Sequence, residues 1–302
     1  MTSTREDAVT VEGVRVTHPM RVVYRTPRIT KLEVVRYYES VAARMLPHLK
    51  GRPLTLVACM NGIANGCQYL RHSKVWGPAA IRRVRIREKT KIGEYMIADT
   101  VEALLSLAQL NVLEFHTWNV DCDRDVERPN RILFDLDPGP KVTWSQVITG
   151  AKLVRKMLAA LDLDSWVKTT GGRGLHVVVP VKPDRDWSEC LAFARAIAEL
   201  LVTQDMALYT IDFRKSGRER QILVDYLRNN RTNTSISAFS LRARTNAPAS
   251  MPIAWEDLTP AKRPERFTLK TASRHPKVDP WRDYWSSRQR LTNDALQAVG
   301  VR

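Results

Sequence analysis

Apolar residues along the chain switch between the period of a helix and that of a strand. In TKLEVVRYYESVAARML (30–46), Leu32, Val35, Tyr38, Ala42 and Met45 share one helical stripe, and Thr30 with Glu33 forms a capping-box pair at its start. RPLTLVA (52–58) predicts a strand. IRRVRIREKTK (81–91) alternates, with Arg83, Arg85, Arg87, Lys89 and Lys91 on one strand face opposite Val84 and Ile86. Such a face serves equally as a solvated edge or as a contact for phosphates. DTVEALLSLAQL (99–110) predicts a second helix, followed by the short run VLEFHTW. RILFDLDPGP (131–140) predicts a strand that stops at Pro138-Gly139-Pro140.

Helix TWSQVITGAKLVRKMLAAL follows, with Thr143 and Gln146 as its capping box and Val147, Ala151, Val154, Leu158 and Leu161 inward. SWVKTTGGRGLHVVVPV (165–181) predicts strand, glycine-rich loop and strand, and a helix spans about 188–202. QILVDYLRN (221–229) predicts an apolar strand that carries one aspartate. Strands and helices interleave, so the class is α/β or α+β. No repeat or Gly/Ser linker divides the chain. The expected organisation is an N-terminal tail over 1–13 and one domain of two interlocked lobes over 14–302. Its Pro-, Trp- and Arg-rich end, from about 262 to 302, is expected to wrap the surface.

Composition narrows the function. The 302 residues hold 48 Lys and Arg against 32 Asp and Glu, a net charge of +16. That excess points to a polyanionic partner, with nucleic acid first; the plain alternative is a host whose proteins are generally basic. A hydrophobic content of 44% with 26% charged residues argues for a folded chain rather than disorder. Cys59, Cys67, Cys122 and Cys190 show no metal-binding spacing and are expected to be reduced packing residues. MTSTREDAVT has no apolar stretch of signal-peptide length and no run reaches 18 apolar residues, so a cytoplasmic protein without a membrane partner is expected.

Within this frame a few polar residues stand out. On a strand, Asp135 and Asp137 point to the same face with Cα atoms within about 7 Å. Adjacent carboxylates repel unless a cation lies between them, and Mg²⁺ or Mn²⁺ favours such oxygen ligands. Capping of the Pro-Gly turn, or pairing with arginines, is the competing reading. Asp225, alone in an apolar strand, is the natural third member of a two-metal site; an ion pair with a nearby arginine is its alternative. KTTGGRGLHVVVP places three glycines beside Thr170 and before His176. The loop can turn backbone N–H groups toward an anion, or can simply close a hairpin. It is neither a Walker loop nor a dinucleotide fingerprint. SLRAR predicts Arg242 and Arg244 on one strand face, a fork for phosphates, and His116 of EFHTW is a candidate substrate contact or a packed core histidine.

Taken in order, ITKLEVVRYY, LEFHTW, FDLDPGP, KTTGGRGLHVVVP, VDYLRN and SLRAR resemble the polymerase domain of bacterial ligase D, of the archaeo-eukaryotic primase superfamily. The resemblance runs over nearly the whole chain, from THPMRVVY to DPW. It implies a primase-polymerase fold with an RRM-like catalytic half and a packed N-terminal α/β lobe. It also implies a nucleotidyltransferase that extends or fills DNA ends in non-homologous end joining. By resemblance, Asp135, Asp137 and Asp225 bind two divalent metals, Mn²⁺ or Mg²⁺. Thr170, Gly172, His176, His116, Arg242, Arg244 and Arg71 hold the incoming nucleoside triphosphate, and Arg21 and Lys31 grip a downstream 5′-phosphate.

The chain departs from the family pattern at several places. Ala58-Cys59-Met60 stands where Arg-Cys-Pro is usual, QYLRH where FFQKH is usual, Arg21 where Lys is usual and Thr170 where Ser is common. The expected partners are DNA ends, a Ku-like protein and a separate ligase acting in trans, near the nucleoid, with a dimer on synapsed ends. Three other readings share these residues: a catalytically weak end-bridging module, suggested by Ala58, a primer-independent primase, and a metal-dependent nuclease. Dependence on nucleoside triphosphate and on a 3′-hydroxyl separates them.

Overall fold

The computed structural model describes residues 8–72, 78–274 and 279–301. Parts of the expected tail and C-terminal wrap (1–7, 275–278 and 302) therefore lie outside the described residues. The chain forms two compact units, each discontinuous in sequence.

The first unit takes the described residues within Met1–Thr117, Ile236–Ala249 and Phe267–His275. Part of the expected tail is already structured: Ala8–Val11 pairs antiparallel with Val14–Thr17. Glu12 and Gly13, both at positive φ, make the two-residue turn that such a hairpin requires. Helix Lys31–Leu49 starts at the predicted Thr30–Glu33 capping box. Its buried face is broader than the predicted stripe and includes Val34, Tyr37 and Val41. In the main sheet, Val112–Thr117, Leu54–Ala58, Ile92–Ile97 and Arg82–Arg87 lie in that order, and Gln68–Leu70 also pairs with Leu54–Ala58. The arginine strand stops at Arg87, because the chain turns back there to pair Arg87 with Ile92. Lys89 and Lys91 therefore belong to the turn and do not extend the strand face.

The cysteine expectation is corrected in this unit: Cys59 and Cys67 form a disulfide. The hairpin register explains it. Ala58 pairs with Gln68, so the next residue on each strand faces its partner across the neck of the loop, with Cα atoms 4.2 Å apart. Cys122 and Cys190 are free thiols, as expected, and Cys190 is buried.

The second unit takes the described residues within Trp118–Ser235, Ser250–Arg266 and Pro276–Arg302. Strand Arg131–Pro138, helix Trp144–Ala159, strands Trp166–Thr169 and Leu175–Pro180, helix Trp187–Gln204 and strand Ile222–Asp225 follow one another in a βαββαβ order. In space the strands run Ile222–Asp225, Arg131–Pro138, Leu175–Pro180, Trp166–Thr169, with short edge strands Tyr209–Thr210 and Pro252–Ile253 outside them. This is the RRM-like half that the resemblance implies.

Alternation divides the residues of this sheet between two faces. Ile132, Phe134 and Leu136 join Leu175, Val177, Val179, Ile222 and Val224 under the two helices, in one core. On the opposite face Leu133 and Val178 are covered by Trp281 and Tyr284 from the C-terminal segment. The polar positions of the same strands, Asp135, Asp137, His176 and Asp225, alternate onto that second face. Among the described residues no helix is long and apolar enough to cross a membrane.

Candidate active site

The carboxylate group is set by strand register. Asp135 lies directly opposite Asp225 on one neighbouring strand and His176 on the other. Strand Ile222–Asp225 ends at its aspartate, shorter than the predicted run to 229, and Leu227–Asn229 becomes a 3-10 turn. Asp225 Oδ1 accepts from the Leu227 N–H at 2.9 Å and fixes the start of that turn. Asn229 then replaces the missing strand: its side chain donates to Leu133 O at 2.7 Å and accepts from Leu133 N–H at 2.8 Å. The turn carries Arg228 over the carboxylates, with Nε 2.9 Å from Asp225 Oδ2 and 3.4 Å from Asp135 Oδ2.

Burial, together with Asp135 and Asp137, pushes the Asp225 carboxyl up to about 6, and Arg228 only partly opposes this. Burial would raise Asp135 too, but His176 and Arg228 outweigh it and hold it low, at about 2. His176 is pulled down to about 4 by burial and by Lys168, so its imidazole is neutral at neutral pH. Its Nε2 lies 3.4 Å from Asp135 Oδ1, and its buried Nδ1 has no hydrogen-bond partner. Asp137 behaves differently. Its side chain is 60% exposed, and its Oδ2 lies 3.6 Å from an Arg218 nitrogen.

The glycine-rich loop is a close-fitting hairpin turn. Thr170 Oγ1 accepts from the Gly172 N–H at 3.2 Å and donates to Gly174 O at 3.2 Å. A Cβ on Gly174 would meet Leu136 O at 2.4 Å, and one on Gly139 would meet Arg218 O at 2.2 Å. Glycine is needed at both places to let backbones approach beside Asp135 and Asp137.

The remaining predicted residues belong to the first unit. His116 and Arg242 meet there on Glu114, a buried carboxylate the sequence reading passed over. Glu114 Oε2 lies 2.8 Å from His116 Nε2 and accepts from Arg242 Nε at 3.0 Å, while Oε1 accepts from the Ala243 N–H at 2.8 Å. Burial would raise the Glu114 carboxyl, but these partners hold it at about 2. SLRAR is not a strand: only Leu241 bridges, to Ala249, and the Arg244 N–H donates to Arg242 O at 2.8 Å in a bend. The chain has to turn because Asn246 and Ala247 both take positive φ. Arg242 is consequently held by Glu114, while Arg244 is exposed.

Arg21 and Lys31 are backbone neighbours, with the Lys31 N–H donating to Arg21 O at 2.8 Å. Arg21 is exposed and donates to Met60 O at 3.3 Å, whereas Lys31 is buried and its Nζ donates to Gln109 Oε1 at 3.1 Å. Arg71 is exposed just past strand Gln68–Leu70.

The carboxylates suit a hard divalent cation in chemistry. Their donors are all oxygen, Asp225 carries charge that Arg228 does not fully compensate, and His176 Nδ1 is orphaned beside them. They are not a finished cage. Among the described residues no three His, Cys, Asp or Glu side chains stand grouped as metal ligands. Asp135 and Asp225 face each other, and Asp137 has to leave Arg218 to join them.

The fold, with its RRM-like sheet, is that of a primase-polymerase type of protein. The chain belongs to the family described as the LigD primase-polymerase domain, which matches residues 30–285. It is 31% identical to the multifunctional non-homologous end joining protein LigD of Pseudomonas aeruginosa over 95% of this chain and 35% of that protein. It is 35% identical to the LigD of Mycolicibacterium smegmatis over 85% of this chain and 34% of that one. The chain thus spans about a third of the length of these relatives. A solved polymerase domain of Mycobacterium tuberculosis Ligase D, in complex with DNA, is similar at a TM-score of 0.80 and 27% identity. The match covers 86% of this chain and 93% of that one.

Proposed function

We propose that this chain is a metal-dependent, template-directed nucleotidyltransferase that extends or fills DNA ends with nucleoside triphosphates in non-homologous end joining. The observation that carries the reading is the facing pair Asp135 and Asp225, held in register on an RRM-like sheet of a chain in the LigD primase-polymerase family. Asp135, Asp225 and a rotated Asp137 would hold the divalent cations, Mn²⁺ or Mg²⁺. Bound there, such ions supply the positive charge that activates a primer 3′-hydroxyl and stabilises departing pyrophosphate.

The chain's own residues bind and orient. Neutral His176 is the candidate contact to a polar group of the substrate, once its buried Nδ1 is uncovered. Thr170 and Gly172 keep the loop narrow, and Arg242 and His116, both fixed on Glu114, are the candidate contacts to phosphate. Arg244 and Arg71 add exposed positive charge, and Arg21 beside Lys31 is the candidate grip on a 5′-phosphate. The net charge of +16 supports salt-sensitive, largely sequence-independent DNA affinity. A cytoplasmic setting, a Ku-like recruiter, a DNA ligase partner and pairing of two copies on synapsed ends complete the proposal.

The test is extension of a gapped duplex bearing a downstream 5′-phosphate, with rNTPs or dNTPs and with Mn²⁺ or Mg²⁺. A variant with Asp135→Ala and Asp137→Ala serves as control. Metal-dependent addition that the double variant lacks supports the reading, and the nucleotide comparison assigns sugar preference. Ala58, fully buried where the family usually carries Arg, favours one second reading, a weakly catalytic end-bridging module. Equal gap binding by both proteins with no nucleotide added would establish that reading instead.

A further inference from the structure

We propose that Arg228 is a resident counter-ion of the carboxylate pair, so that a metal entering the site must displace it. The inference deepens the proposed function and rests on its metal-binding reading. Three observations carry it. Arg228 Nε sits between the two facing carboxylates, 2.9 Å from Asp225 and 3.4 Å from Asp135, where a shared cation would lie. Its backbone is anchored from both sides: its carbonyl accepts from Asn119 Nδ2 at 3.1 Å, and the next residue, Asn229, is locked onto Leu133. Its side chain is nonetheless 39% exposed, and on leaving with its Cα in place the guanidinium gives up one further hydrogen bond, from Nη1 to Thr234 O at 3.3 Å.

Two facing carboxylates with little solvent between them repel, and a single guanidinium, 2.9 Å from one and 3.4 Å from the other, relieves that repulsion only in part. A divalent cation neutralises the pair more completely, but its net affinity is reduced by the interaction it breaks. The displaced guanidinium is then available to an anionic group such as a phosphate, two of whose oxygens its planar fork can meet. Arg228 thereby links filling of the metal site to the arrival of the anionic substrate. Arg218 is the corresponding partner of Asp137, which has to leave it to join the same cation.

The test is Mn²⁺ binding alone, with no nucleotide or DNA, followed by loss of the free-ion electron paramagnetic resonance signal. Wild type is compared with Arg228→Gln, Arg228→Lys and Asp225→Asn. Removal of a competing charge at contact distance is expected to tighten Mn²⁺ binding by about tenfold in Arg228→Gln. Arg228→Lys, which keeps the charge, stays close to wild type, and Asp225→Asn loses the site. Without metal, Arg228→Gln melts below wild type, and saturating Mn²⁺ raises its midpoint by more than it raises that of wild type.

Equal or weaker Mn²⁺ binding in Arg228→Gln, with binding still abolished by Asp225→Asn, overturns the role of Arg228 and leaves the metal site intact. If no protein shows Mn²⁺ binding that depends on Asp225, the metal reading itself fails, and the inference with it.

Discussion

Replacing Glu114 by Gln removes one charge from a buried cluster while keeping its shape. The carboxylate is held at about 2 instead of its ordinary 4.5, by hydrogen bonds and charge from His116 and Arg242 and by the Ala243 N–H. At about 1.4 kcal/mol for each pH unit, this displacement contributes about 3 kcal/mol to stability at neutral pH. Because the folded value lies below the unfolded one, the contribution is present above pH 4.5 and is lost as pH falls through about 2. The glutamine carries no such dependence and leaves the Arg242 guanidinium without its counter-ion. Urea unfolding followed by circular dichroism at pH 7 and pH 3 measures both effects. Glu114→Gln is expected to be less stable than wild type by about 3 kcal/mol at pH 7, with the gap roughly halved at pH 3. A difference under about 0.5 kcal/mol at pH 7, or a gap that does not shrink with acid, would refute the electrostatic reasoning.

Other consequences are equally direct. Asn229→Ala leaves both backbone groups of the buried Leu133 without partners, and is expected to cost about 2–4 kcal/mol in the same unfolding assay. Gly174→Ala pushes a methyl group against Leu136 O and is expected to lower the melting midpoint with a cost of about 1–3 kcal/mol; an unchanged midpoint would show that the hairpin yields there. With Asp225 titrating at about 6, protons compete with a cation at this site, so Mn²⁺ affinity is expected to fall as pH drops below about 6 and to level off above it. Thiol counting on protein unfolded without reductant should find the two free thiols, Cys122 and Cys190; four would contradict the Cys59–Cys67 bridge.

Much of this architecture was legible because its signals are local. The capping boxes at Thr30–Glu33 and Thr143–Gln146 mark helix starts at the residues where the helices begin. Alternation around Asp135 and Asp137 correctly placed both on one face of a strand, since side-chain direction there follows from parity alone. The features that escaped depend on contacts between distant segments. Glu114 looked like one more position in an apolar run, because its partners Arg242 and Ala243 come from a remote part of the chain. The apolar run predicts a strand through Arg228 and Asn229, but the strand ends at Asp225; their backbone leaves the ladder because Asn229's amide satisfies Leu133 in its place. The disulfide escaped because CxxxxxxxC has no signature of its own. Its signal is the hairpin register of Ala58 with Gln68, which composition does not carry.

The central claim is that the carboxylates at 135 and 225 form a catalytic centre for nucleotide addition. Its most direct test is single-turnover addition of one nucleotide to a gapped duplex by wild type and by Asp225→Asn, with matched gap affinity confirmed for both. The account predicts Mn²⁺- or Mg²⁺-dependent addition by wild type, and a loss of at least a hundredfold in the variant with DNA binding retained. Addition that persists in Asp225→Asn at a comparable rate, or that needs no divalent ion, would contradict it.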